Sequence, residues 1–187
     1  MLRRSVVIAC LVAGLVGASF GTAHAANVSP DKWAPKFCKA LEKWQTTIKE
    51  ETSAATDALS GSSGDLTAVR DEFVTFLGND VVATQAAIKV IKKAGTPSST
   101  NGAKISAKFV AGMQAASTVF SDAKTSAAAL STTDPDLFID QATQIQDDLN
   151  AASDEITSAF SGVDRLDKDG ELNGAILDAK ACKFLTG

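Results

Sequence analysis

Tyrosine is absent from this sequence of 187 residues, histidine occurs once, cysteine three times and methionine twice. The single histidine, His24, falls in an N-terminal segment with the layout of a leader. Behind that segment the chain has nothing for a Ser-His-Asp triad, a histidine-ligated zinc or haem, or a cysteine cluster. Neither a metal site nor a cofactor is expected, and catalysis is not expected either. Basic residues are outnumbered, with 18 Lys and Arg against 22 Asp and Glu and a net charge of −4. An acidic balance argues against nucleic acid as a partner, because phosphate backbones are bound by basic surfaces. Long hydrophobic runs are scarce as well. Residues 6–20 form an uncharged apolar run of about 15 residues, short of the roughly 20 that a membrane span needs.

What is present begins with that run. Arg3 and Arg4 precede it, and Ala23-x-Ala25 closes it with the small residues of a cleavage site. The layout predicts a Sec-type signal peptide over residues 1–25, cleaved after Ala25. The protein is then secreted or associated with the cell envelope, with no transmembrane helix after cleavage. Val7-Ile8-Ala9-Cys10 has the look of a lipobox, but the apolar run continues past Cys10, so a cleaved signal is expected rather than lipidation. The segment takes two arginines and no acid with it, deepening the net charge to about −6. About 162 residues remain, 26–187, the size of a single domain.

In that remainder apolar residues recur at helical spacing. Trp33, Phe37, Leu41, Trp44, Ile48, Ala55 and Leu59 predict a first helix, opened by Ser29-Pro30 and stopped by Gly61-Ser62-Ser63-Gly64. Pro35 marks either its true start or an irregular first turn. Leu66, Val69, Phe73, Leu77, Val81, Ile88 and Ile91 predict a second helix capped by Asp65. Gly78-Asn79-Asp80 is a point where it bends or weakens, because an interior glycine costs about 1 kcal/mol relative to alanine. Residues 95–102 read as a loop. Ile105, Phe109, Met113, Phe120 and Leu130 belong to a third helix. Asp134-Pro135 opens a fourth, whose stripe of Phe138, Ala142, Ile145, Leu149, Ala152 and Ile156 steps close to a heptad. A short fifth helix follows Asp167-Lys168-Asp169-Gly170. No alternating run predicts a sheet. The fold class is all-α: an antiparallel up-down four-helix bundle with a short C-terminal fifth helix, the first and fourth helices being neighbours.

Two cysteines in an exported chain predict a disulfide, Cys38–Cys182. An up-down bundle brings the start of its first helix and the segment after its fourth to the same end. The bridge closes a loop of about 145 residues and is worth on the order of 5 kcal/mol in the chain-entropy model.

Few side chains are left for function. Lys32, Lys36, Lys39 and Lys43 step by four, three and four, which places them on one helix face. They predict a solvated face beside the core stripe, a face paired with the acidic fourth helix, or a binding face for an anionic envelope polymer or lipid. Trp33, Phe73, Phe109 and Phe138 are candidates to line an apolar pocket among the alanine-rich helices. Asp167 and Asp169 sit at two ligand positions of an EF-hand-like pattern, but Arg165 and Ile176 occupy positions that need acids, so a polar turn is expected, with weak calcium binding as the other reading. Asp147-Asp148 and Asp154-Glu155 are adjacent on a helix and point about 100° apart, which suits a solvated face rather than acid-base chemistry.

The layout is similar to that of small secreted helical proteins of actinobacteria: Ala-, Thr- and Ser-rich, with a signal site and two lone cysteines. The similarity is one of composition and implies no site. The expected function is binding, without catalysis, at the envelope or outside the cell, the partner being a protein, an envelope polymer or a lipid. The alternative is a carrier of an apolar, lipid-like ligand in the bundle interior.

Overall fold

The computed structural model describes residues 27–61, 64–160 and 163–185. The leader read over residues 1–25, with Cys10 and His24, lies outside them. Helices begin where the sequence offers partners for their free N–H groups. The Ser29 carbonyl accepts from the N–H groups of Lys32 and Trp33 and opens α1 (Pro30–Gly61), which runs through Pro35 instead of starting there. Asp65 Oδ1 accepts from the N–H groups of Thr67 and Ala68, both at 3.0 Å, and caps α2 (Leu66–Ala94). Asp134 Oδ1 does the same for α4 (Pro135–Phe160), accepting from Asp136 and Leu137 at 3.1 Å. Between them lies α3 (Gly102–Ala128).

Helix dominates as expected, with four differences in detail. Residues 27–28 and 96–97 form β1 (Asn27–Val28) and β2 (Thr96–Pro97), a two-residue parallel pair where no sheet was expected. The Val28 carbonyl also accepts from Ser98 N–H at 2.8 Å. This pair ties the chain entry to the loop before α3, where a Cβ on Gly102 would overlap the Pro97 carbonyl. Second, the C-terminal region is more broken than one short helix. One turn, α5 (Val163–Leu166), precedes α6 (Glu171–Asp178), and a 3-10 turn follows over Lys180–Leu185. Third, α2 passes through Gly78-Asn79-Asp80 without a break. Fourth, α1 packs along α2, α2 along α3 and α3 along α4, but among the described residues no lengthwise packing joins α1 to α4. The expected pairing of the α1 lysines with α4 acids therefore lacks its framework. The flank of α1 is taken by α6 and the terminal 3-10 turn.

Three hydrogen bonds set the register of α1 on α2. Trp33 Nε1 donates to the Gly95 carbonyl at 3.0 Å, Trp44 Nε1 to Thr84 Oγ1 at 2.9 Å, and Asn79 Nδ2 to Glu51 Oε2 at 2.7 Å. Numbering falls along α2 as it rises along α1, so the two helices run in opposite directions.

The interior divides into two apolar clusters. The first joins the start of α1, the end of α2, the start of α3 and α6, with Trp33, Phe37, Ile91, Ile105, Met113 and Leu172 fully buried. Trp33 stacks on Phe37 with ring centres 4.5 Å apart, and Phe109 tilts against Phe37 at the same distance. The second joins the start of α2, the end of α3 and the start of α4 around Leu77, Leu130, Phe138 and Ile145. Cys38 and Cys182 are bonded, buried within the first cluster, with Cα atoms 5.0 Å apart.

Between the clusters the buried face of α2 turns polar. Asp80 and Thr84 occupy the stripe that otherwise carries Leu77, Ala87 and Ile91. Thr84 Oγ1 donates to the Asp80 carbonyl at 2.7 Å and accepts the Trp44 indole. Asp80 is 1 % exposed and its Oδ1 has no hydrogen-bond partner. Burial, with a smaller push from the charge of Glu51, raises its carboxyl to a pKa of about 7.

Candidate functional site

The outer seam of α1 and α2 does not close. Along α1, Lys39, Ala40, Lys43, Trp44, Thr47 and Glu51 recur at steps of three and four and so share a face. Along α2, Asn79, Val82, Ala83, Ala86, Ala87 and Val90 do the same. Together these two faces line an open groove of about 520 Å³. Its origin is the side-chain size at the seam: Ala40 faces a helix that offers Ala83, Ala86 and Ala87, and alanines cannot fill the space between two helix cylinders. Apolar side chains are left in water as a result, Val82 66 % exposed and Val90 46 % exposed. By length and composition α2 is apolar enough to cross a membrane, yet only a third of its most apolar stretch is buried. Its apolar character thus exceeds what the core uses.

The groove has two unlike ends. The register places Lys39 and Lys43 beside the Val90 end. Lys32 and Lys36 continue the α1 row, and Lys89, Lys92 and Lys93 stand on the last turns of α2, all of them exposed. At the other end Glu51 and Asn79 are hydrogen-bonded to each other. Trp44 forms part of the wall, its ring fixed by the bond to Thr84. From Lys39 to Glu51 the groove spans roughly 18 Å at 1.5 Å per residue.

The four lysines singled out from the sequence thus lie on one exposed face, and two of them border this groove. The four aromatic candidates are not brought together. Trp33 and Phe109 belong to the first cluster, their ring centres 6.4 Å apart, whereas Phe73 and Phe138 belong to the second. Sequence reading placed the pocket inside and missed Val82, Ala83, Ala86 and Val90. The available signal was their spacing on α2, a second apolar row offset from the core stripe.

The acidic candidates have local tasks. Asp167 Oδ1 accepts from Leu172 N–H at 3.2 Å and Oδ2 from Asn173 N–H at 2.7 Å, so both oxygens are spent on the start of α6. Asp148 accepts from Gln144 on its own helix at 2.9 Å, and Asp147 is exposed. The side chains of Asp154 and Glu155 lie outside the described residues. A second, smaller groove of about 240 Å³ runs between α3 and α4, bordered by Asp122 and Asp148. Compared with protein-family models, with curated proteins and with solved structures, the chain finds no match, so its own geometry carries the functional reading.

Proposed function

We propose that this protein is exported and acts by binding, without catalysis, at the cell envelope or outside the cell, and that it binds through the α1–α2 face. The observation that carries this reading is the open groove with exposed valines on one wall and lysines at one end. Exposed apolar surface of that kind has a cost in water that a partner relieves. The leader-like residues 1–25 support export, with cleavage after Ala25 leaving a single domain over 26–187. An antiparallel up-down four-helix arrangement belongs to the same proposal. It is supported by the opposed register of α1 and α2 and by the packing of consecutive helices across short connections. The carrier reading draws on the same feature, because the apolar wall lies in this groove and not among the four interior aromatics.

The test is retention. The mature protein, purified from the organism that makes it, is expected to carry a molecule detectable by mass spectrometry. A groove-filling double variant, Ala83→Leu with Ala86→Leu, is expected to lose that molecule while keeping its helical circular dichroism. Equal retention by both proteins, or none by either, defeats the reading.

A further inference from the structure

We infer that the α1–α2 groove is a site for one single-chain anionic amphiphile, its headgroup between Lys39 and Lys43 at the Val90 end and its alkyl chain along Ala86, Ala83 and Val82. The inference rests on the binding role proposed above and names the ligand class. Three observations lead to it. The first is size: about 520 Å³ lies within the range of small-molecule sites, roughly 300 to 1,000 Å³. The second is shape. The groove follows two helix axes for roughly 18 Å, which suits a linear chain better than a compact ligand.

The third is asymmetry of charge. Lys39 and Lys43 stand one turn apart on α1, where two ammonium groups can reach a single anionic head from the same side. Lys36 follows one turn back on α1 and Lys89 and Lys93 stand on the same last turns of α2 as Val90, and Glu42 is the one acid between Lys36 and Lys43. At the far end Glu51 accepts from Asn79, and the tail stops short of that polar pair. A neutral or cationic amphiphile gains nothing from the lysine end, and an anion without a tail gains nothing from the valines. The ligand enters from the side, because the groove is open along its length and no described segment covers it.

Calorimetry on the full mature protein tests this, with hexadecanoate below its micelle concentration as the probe. One hexadecanoate per chain is expected to bind. Hexadecyltrimethylammonium is expected to bind at least tenfold more weakly. Among shorter chains that lie wholly within the groove, decanoate is expected to bind roughly tenfold more weakly than dodecanoate, because each buried methylene is worth about 0.8 kcal/mol, or threefold to fourfold in affinity. Lys39→Glu with Lys43→Glu is expected to weaken hexadecanoate at least tenfold with unchanged thermal unfolding, and the Ala83→Leu, Ala86→Leu protein is expected not to bind it. Equal affinity for the cationic amphiphile overturns the inference. So does binding to phosphatidylglycerol vesicles without uptake of monomeric hexadecanoate. Should the variants fail to fold, the headgroup and chain-length series on the unaltered protein decides alone. A groove-dependent ligand retained from the native source, together with no hexadecanoate binding, overturns this inference and leaves the binding role standing.

Discussion

Around the start of α1, the interior draws on four separated stretches of chain and is closed covalently by Cys38–Cys182; around the start of α4, it draws on three consecutive helices and has no bridge among its members. The difference is one of entropy. Neighbouring helices meet after short loops. Bringing α6 back to α1 closes a separation of 144 residues, and a flexible chain resists that closure. The disulfide stands where closure is hardest. The layer that separates the two regions, Asp80 with Thr84 and Trp44, is polar and incompletely hydrogen-bonded, and it is expected to limit how far one cluster supports the other.

Reduction should break this comparison open most widely. Removing the bridge, by reductant or by Cys38→Ala with Cys182→Ala, is expected to cost on the order of 5 kcal/mol. Hydrogen exchange should then rise first in α6 and the start of α1, with the α3–α4 pair holding its protection longer. Equal and simultaneous loss in both regions would show one cooperative unit.

Asp80 tests the boundary itself. Its folded pKa, about 7, lies above the ordinary carboxyl value of 3.8, so the native state binds the proton more tightly than the unfolded chain. Stability is therefore unpenalised below about pH 4, falls as pH rises between about 4 and 7, and stays low above. Asp80→Asn keeps the shape and removes the charge. It is expected to stabilise the protein at pH 8 by up to about 4 kcal/mol and to change little at pH 4. Urea unfolding at the two pH values measures this, and an equal effect at both would locate the cost of Asp80 in something other than its charge.

The smallest of the three effects belongs to the second cluster. Leu77→Ala empties a fully buried site and is expected to cost about 3 kcal/mol, within the range for such truncations. Faster exchange should follow in the start of α4 and the end of α3 and spare α6. If α6 responds as strongly, the two clusters are coupled through α2 and the polar layer does not insulate them.

Much of the fold could be read from particular residues. Asp65 and Asp134-Pro135 mark helix starts because a side-chain oxygen near free N–H groups is a local signal. Cys38 and Cys182 were pairable because a leader-like N-terminal segment suggests export and leaves two cysteines with few other uses. The buried row of α2 was read less well. Counting apolar residues leads from Leu77 to Val81 and Ile88, whereas the stripe passes through Asp80 and Thr84, and nothing local announces a carboxyl in a core. The groove was hidden for a related reason. Alanine fits a helix interior, a core or a gap equally well, and only the opposed helix decides which. The lysine row was visible, but its neighbour is α2 and not α4, a matter of tertiary packing that helix lengths and loop lengths leave open.

The bridge has a mechanical meaning as well as a thermodynamic one. Tension applied between the two ends of the chain first meets the contacts of residues 27–37 and then passes from Cys38 to Cys182 through a single covalent link. Once the bonds from Val28 and Trp33 to residues 95–98 have parted, the stretch of chain between the cysteines, including most of α1 and all of α2, is bypassed by that load. Tethered at one end and dragged at the other, the protein lengthens only through the segments outside the bridge. The α1–α2 groove is lined entirely by residues inside the loop and so lies off the covalent path of the pull.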